Sequence, residues 1–135
     1  MPKFGVRSRS NLESCDKRLQ RVFNKVIEYV DCTVLEGHRS EDRQNKLYEE
    51  GRSKLKYPKG NHNRFPSYAV DVTPWPIDWE DRERQTLFAG FVLGIGRLMG
   101  YNIRWGGDWD QDFQVGDNHF DDFPHFEIKD NKKDK

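Results

Sequence analysis

The chain has 135 residues and a mass of 16.1 kDa, enough for one domain with a single hydrophobic core and too little for a second catalytic domain. Its 23 Lys and Arg balance 23 Asp and Glu at a sequence pI near 6.9, which argues against a nucleic-acid binder, because that function needs a basic face to recruit phosphates. Mean hydropathy is low at -1.03, but intrinsic disorder needs high net charge as well, and an aromatic content of 13% supplies core material.

The first residues, Met1 to Arg7, carry no apolar run of signal-peptide type, and no stretch reaches the ~20 apolar residues of a membrane span. The expectation is a product made in the cytoplasm that does not export itself. Ser10-Asn11-Leu12-Glu13 reads as a capping box that opens one long core helix near residues 11 to 30, with Leu12, Cys15, Leu19, Val22, Phe23, Val26, Ile27 and Val30 at helical spacing. Cys15 on that helix and Cys32 at the head of the next strand are the only cysteines; one disulfide between them is the alternative to the favoured reading of two separate buried thiols. Thr33 to Glu36 reads as a strand. Ser40 caps a short helix with acids in its first turn that ends at Gly51, which puts Arg39 at a strand-to-helix junction. Side chains there commonly face a cleft, and an arginine can hold a carboxylate by two parallel hydrogen bonds. Arg43 and Arg52 read as surface ion pairs, and His38 as structural.

Residues 52 to 67 form a long loop without periodicity, whose job is to lead into His62. Gly60, Asn61 and Pro66 exclude a regular helix, while Tyr68-Ala69-Val70-Asp71-Val72 alternates as a strand and aims Asp71 to the side of Ala69. A carboxylate in a half-buried strand needs a cation. Pro74 to Ile77 punctuate the strand end, and Asp78 is expected to cap a helix over 79 to 99 with apolar positions Leu87, Phe88, Phe91, Val92, Ile95, Leu98 and Met99. Gly90, Gly94 and Gly96 weaken that helix by ~1 kcal/mol each, to be offset by close packing on the sheet, and Gly100 stops it. Tyr101 to Trp105 reads as a third strand, followed by a sharp turn at Gly106 to Trp109 that leaves Trp105 buried and Trp109 partly exposed. An acidic loop from 110 to 121 holds His119. His125 then opens a short apolar strand with Asp122 three residues before it, and Glu127 shares His125's strand face, where it can orient a ligand. Lys129 to Lys135 reads as a charged, disordered tail.

Two histidines and one aspartate, His62, Asp71 and His125, supply three ligands. That is the set of a catalytic zinc, which keeps its fourth position open, whereas structural zinc is closed by four ligands that usually include Cys. On spacing alone His119 rivals either histidine, and Asp121 offers the same chemistry as Asp122.

Four blocks stand in order along the chain: Glu36-Gly37-His38-Arg39-Ser40; His62-Asn63-x-x-Pro66-Ser67-x-Ala69-Val70-Asp71-Val72-x-Pro74; Arg104-Trp105-Gly106-Gly107-Asp108-Trp109; and Asp122-x-x-His125. Together they resemble the zinc signature of the LAS-type peptidases, most closely the small phage-type L-alanyl-D-glutamate endopeptidases, over roughly residues 4 to 128. The commoner family form has Ser two before the histidine, Gly three after it and six residues before the aspartate; here Gly60, Phe65 and eight intervening residues stand instead. The resemblance implies an α+β, LAS/Hedgehog-like fold, with a small, mainly antiparallel sheet backed by helices and a zinc cleft on its open face, in a single catalytic domain over 1–128. It implies one Zn2+ per chain on His62, Asp71 and His125, with Asp122 as general base. It also implies Arg39 on the substrate carboxylate or oxyanion, and Ser40 and Trp109 at the substrate. The implied substrate is the peptidoglycan stem peptide, reached by a monomer with the help of a holin-type membrane partner. A D-alanyl-D-alanine carboxypeptidase or dipeptidase would use the same metal residues, and a catalytically silent zinc-bearing binding module would lack the base or the arginine.

Overall fold

The computed structural model describes residues 2–116 and 121–130, so His119 and residues 131–135 of the expected tail lie outside the described residues. In chain order the elements are α1 (Val6–Glu13), α2 (Lys17–Val26), β1 (Cys32–Glu36), α3 (Glu41–Glu49), a 3-10 turn at Asn61–Asn63, β2 (Ala69–Pro74), α4 (Arg82–Leu98), β3 (Ile103–Gly106) and β4 (Asp122–Ile128). The strands form one sheet in the order β1-β2-β4-β3, and every pairing is antiparallel. This is an α+β fold, as the sequence led us to expect.

One face of the sheet packs on α2 and α4. Val70 and Val72 of β2 and Phe126 and Ile128 of β4 point to that side by strand alternation, and Phe126 meets the rings of Phe23 at 5.5 Å and Phe88 at 6.2 Å. The intervening residues Asp71, His125 and Glu127 therefore face the other way, onto the open side. Alternation on β1 would send Glu36 to the core side with Val34. A register shift between Val34 and Glu36 instead sets Glu36 opposite Asp71, which in turn pairs with His125. A row of three polar residues thus crosses three neighbouring strands.

The expected single helix over 11 to 30 is two helices. Ser10 lies inside α1, which starts after Gly5 without a side-chain cap, and Asp16 caps α2 by accepting from the Arg18 N–H. The break occurs because the chain at Ser14 to Asp16 pairs with Ser67: the Ser67 N–H donates to the Ser14 carbonyl, and the Asp16 N–H to the Ser67 carbonyl. Cys15 therefore sits between helices rather than on one. Both cysteines are buried and free, and burial pushes their thiols up to about 12.

The cap of α4 is Asp81, which accepts from the Arg84 N–H, not Asp78, whose carboxylate accepts from Glu80 in the turn before. The buried stripe of α4 is Gln85, Phe88, Ala89, Val92 and Gly96, whereas Leu87 and Leu98 are 78% and 87% exposed. An apolar residue one helical position off the stripe points outward however well it fits the period. Only Gly96 of the three helix glycines is packed tightly, against Ile103; Gly90 and Gly94 have open space around them. At the carboxyl end the Lys129 N–H donates to the Asn102 carbonyl and Asp130 pairs with Arg18, so the described start of the expected tail is tied down.

Candidate metal centre

His62 is held before any metal is considered. The 3-10 turn that carries it is closed by the Asn63 side chain, which accepts from the Gly60 N–H and donates to the Arg39 carbonyl. Its Nδ1 donates to the Gly37 carbonyl at 2.7 Å. A carbonyl can only accept, so the proton sits on Nδ1 and the lone pair on Nε2, which lies 3.3 Å from Asp71 Oδ1. Gly37 is needed here: a Cβ on it would collide with the Asn11 carbonyl and the Ser14 hydroxyl.

His125 is wired the other way round. Its Nε2 is 2.6 Å from Glu127 Oε1, which leaves Nδ1 facing Asp71 Oδ1 at 3.5 Å and Asp122 Oδ2 at 3.9 Å. Glu127 also takes the Arg104 guanidinium at 2.7 Å, and Arg104 lies over the ring of Trp109, which packs in turn on His125 at 5.3 Å. These four side chains close a circuit that fixes the His125 ring plane. The two imidazoles meet edge-on at 5.2 Å.

One ligand atom from each of His62, Asp71 and His125 lies within 4.8 Å of the others. Among the described residues His62 Nε2 and Asp71 Oδ1 are buried without a hydrogen-bond partner, an arrangement that costs free energy unless something positive sits between them. Burial pushes the Asp71 carboxyl up, but the His62 and His125 imidazoles outweigh it and hold the group well below the usual carboxylate range. Burial pushes the His125 imidazolium down, yet Asp71 and Glu127 overcome it and raise the group to about 10. Glu127 is likewise raised by burial but brought down to about 2 by His125 and Arg104. The cluster thus carries a surplus of negative charge that a proton or a metal ion can satisfy.

Asp122 lines the same cleft, and burial followed by the Asp71 charge pushes its carboxyl above the ordinary value. Asp121 points elsewhere, to Arg82 of α4 at 2.9 Å. β3 approaches Asp122 closely at Gly106, where a Cβ would strike the Asp122 backbone carbonyl. Arg39 lines the cleft too, 3.8 Å from Asp71, with its Nε and Nη2 on Glu36 and its Nη1 on Gln44. Trp109 is half-buried and lines the cleft. Ser40 does not line it; its hydroxyl caps α3 by accepting from the Arg43 N–H. Arg43 and Arg52 do make ion pairs, with Glu36 and Glu50, and His38 stacks edge-on with Phe65.

Sequence reasoning missed Gln44, which is 1% exposed and sits at the centre of the cleft's supports. It accepts from Arg39, and from Asn63 at 3.4 Å, and donates to Ser53 Oγ and the Leu55 carbonyl. The available signal was a glutamine three positions before Leu47, on the buried face of a short helix. Arg104 was seen only as part of a block, not as the partner of Glu127.

A family model described as phage L-alanyl-D-glutamate peptidase matches residues 1–129. The chain is 30% identical over 123 residues to the L-alanyl-D-glutamate peptidase of Escherichia phage T5, covering 87% of this chain and 86% of that one. It is 27% identical over 113 residues to the peptidoglycan L-alanyl-D-glutamate endopeptidase CwlK of Bacillus subtilis, covering 73% of this chain and 61% of the relative. Among solved structures, the L-Ala D-Glu endopeptidase ChiX of Serratia marcescens superposes with a TM-score of 0.74 at 28% identity, covering 94% of this chain and 90% of that one.

Proposed function

This chain belongs to the phage L-alanyl-D-glutamate peptidase family, and from that premise we propose that its cleft hydrolyses the L-alanyl-D-glutamate bond of peptidoglycan stem peptides with one zinc ion held by His62, Asp71 and His125. The observation that carries the metal is the pair of orphaned atoms, His62 Nε2 and Asp71 Oδ1, together with the 3.3 Å and 3.5 Å ligand spacings around Asp71. A tetrahedral ion with bonds of ~2.0–2.1 Å needs ligand atoms about 3.3–3.4 Å apart, and both spacings to Asp71 match that. Both histidines have their second nitrogen anchored, by Gly37 and Glu127, as metal-binding histidines require.

Zinc when bound acts as a Lewis acid that polarises the scissile carbonyl and acidifies water at the site. Asp122, with its raised affinity for protons, takes the proton of the attacking water on a carboxylate oxygen and passes it to the departing glutamate nitrogen. Arg39, clamped by Glu36 and Gln44, supplies a fixed positive charge for the developing oxyanion rather than a free fork for a carboxylate. Trp109 walls the substrate side of His125. Action as a monomer, with a holin-type partner giving access to the wall, completes the proposal; no helix among the described residues is long and apolar enough to cross a membrane.

Digestion of purified peptidoglycan with the zinc-loaded protein, read by mass spectrometry of the fragments, tests this. New amino-terminal D-glutamate is expected. Release of D-alanine instead would reassign the chain to carboxypeptidase chemistry, and intact peptidoglycan would leave a binding module.

A further inference from the structure

The ligand His62 and the cation Arg39 come from different segments of the chain, and three hydrogen bonds lace those segments together. His62 Nδ1 donates to the Gly37 carbonyl at 2.7 Å, the Arg39 N–H donates to the His62 carbonyl at 2.7 Å, and Asn63 Nδ2 donates to the Arg39 carbonyl at 3.1 Å. Both backbone groups of Arg39 are thus taken by two consecutive residues of the 3-10 turn. A shift of that turn would carry the imidazole and the arginine backbone with it.

The Arg39 side chain is tied to the same turn through Gln44, and the orientation of that amide is fixed. Gln44 Nε2 donates to the Leu55 carbonyl, which can only accept, and to Ser53 Oγ at 2.9 Å, so Oε1 faces the donors Arg39 Nη1 at 2.9 Å and Asn63 Nδ2 at 3.4 Å. Asn63 is fixed in the same way, because its Oδ1 accepts from the Gly60 N–H at 3.0 Å. Gly60 leaves the room this needs: a Cβ there would come within 2.9 Å of Asn63 Oδ1 and 3.2 Å of Gln44 Oε1. Of the guanidinium donors, Nε and Nη2 go to Glu36 and one N–H of Nη1 goes to Gln44, so each terminal nitrogen keeps one N–H for the cleft. A neutral amide oxygen at Nη1 holds the fork without adding a second negative charge beside it.

A cation that stabilises an oxyanion works only if its position relative to the reacting carbonyl is fixed before the reaction. On the proposed peptidase chemistry, on which this inference rests, that carbonyl is placed by the metal and therefore by His62. We propose that Gln44 and Asn63 are positioning residues that hold the Arg39 guanidinium in register with His62 Nε2, so that they contribute to turnover through Arg39 and not through metal or substrate binding.

The test measures kcat and KM on a synthetic stem peptide, and zinc affinity by chelator competition, for wild type, Gln44→Met, Asn63→Ala and Asn45→Ala, and for Gln44→Met placed in an Arg39→Met background. Gln44→Met keeps the side-chain length but offers Arg39 no acceptor, and its kcat should fall by about 10- to 100-fold. KM should move by less than about threefold, and zinc affinity should stay at the wild-type value. Asn63→Ala should lower kcat in the same sense. In the Arg39→Met background the Gln44→Met change should cost no further turnover, because the residue through which it acts is gone. Asn45 accepts from the Tyr57 N–H at 3.1 Å and braces the same loop without touching Arg39 or Asn63, so Asn45→Ala should keep kcat. Wild-type turnover in both Gln44→Met and Asn63→Ala, an equal loss in Asn45→Ala, or a further loss in the Arg39→Met background overturns the positioning role while leaving the peptidase activity standing. If the zinc-loaded wild type cuts no stem peptide, the activity itself falls and takes the positioning role with it.

Discussion

The two sides of the cleft are built by opposite rules. On the side that follows α3, Arg52 to Lys59 have no regular structure, their cations are exposed, and the backbone is held by side chains, chiefly Gln44. On the other, Asp71, Asp122, His125 and Glu127 are placed by sheet register, and in the turn after β3 Asp108 accepts from the Asp112 and Phe113 N–H groups. A sheet positions side chains to within a fraction of an ångström, which suits chemistry, whereas a braced loop keeps side-chain freedom, which suits recognition. The sheet side carries the proposed ligands Asp71 and His125, the loop side carries cations on a braced backbone, and that contrast can be broken at several points.

The largest effect is expected at the three proposed zinc ligands. His62→Ala, Asp71→Ala and His125→Ala should each lose most bound zinc by metal analysis, and activity with it; full occupancy in any of them would remove that residue from the site. Chelation of the wild type should abolish turnover, and added zinc should restore it. Next comes Asp122→Asn, which keeps size and most hydrogen bonding but cannot take a proton at neutral pH. Turnover should fall by about 10²–10⁴ with zinc still bound. Asp121→Asn, at a carboxylate that pairs with Arg82 of α4, should retain most activity, and the reverse result would move the base to Asp121.

Glu127→Gln sharpens the comparison from the strand side. It should weaken zinc affinity by about 10- to 100-fold in a chelator competition, because His125 loses the carboxylate that orients it. Gln44→Ala probes the loop side. It strips Arg39, Asn63 and the Leu55 carbonyl of a buried partner, and should cost about 1–3 kcal/mol in thermal or denaturant unfolding while zinc binding persists. The smallest effect is expected for His119→Ala, which should keep both its metal and most of its activity.

Much of this was legible along the chain because it depends on neighbours a few residues apart. The strand alternation through Asp71, the Ser40 cap, the stop at Gly100 and the shared face of His125 and Glu127 all follow from local period and capping. Where long-range pairing intervened, local reading failed. The apolar repeat from Leu12 to Val30 is helical throughout, yet Ser67 pairs with Ser14 and Asp16 and splits it. Leu87 and Leu98 obey the helical period of α4 but lie off the stripe that meets the sheet.

By itself the sequence determined the order of the four blocks that mark the family, and the resemblance they carry implied the α+β class and the choice of His62, Asp71 and His125 over His119 as candidate ligands. Only the tertiary structure decided which nitrogen of each histidine faces Asp71, because Gly37 and Glu127 must come to the far side of each ring. It likewise decided that Asp122 rather than Asp121 enters the cleft, and that a bulge turns Glu36 toward Arg39. These choices depend on strand register and on contacts between residues distant in the chain, and a one-residue slip in register, invisible to local propensity, would reverse them.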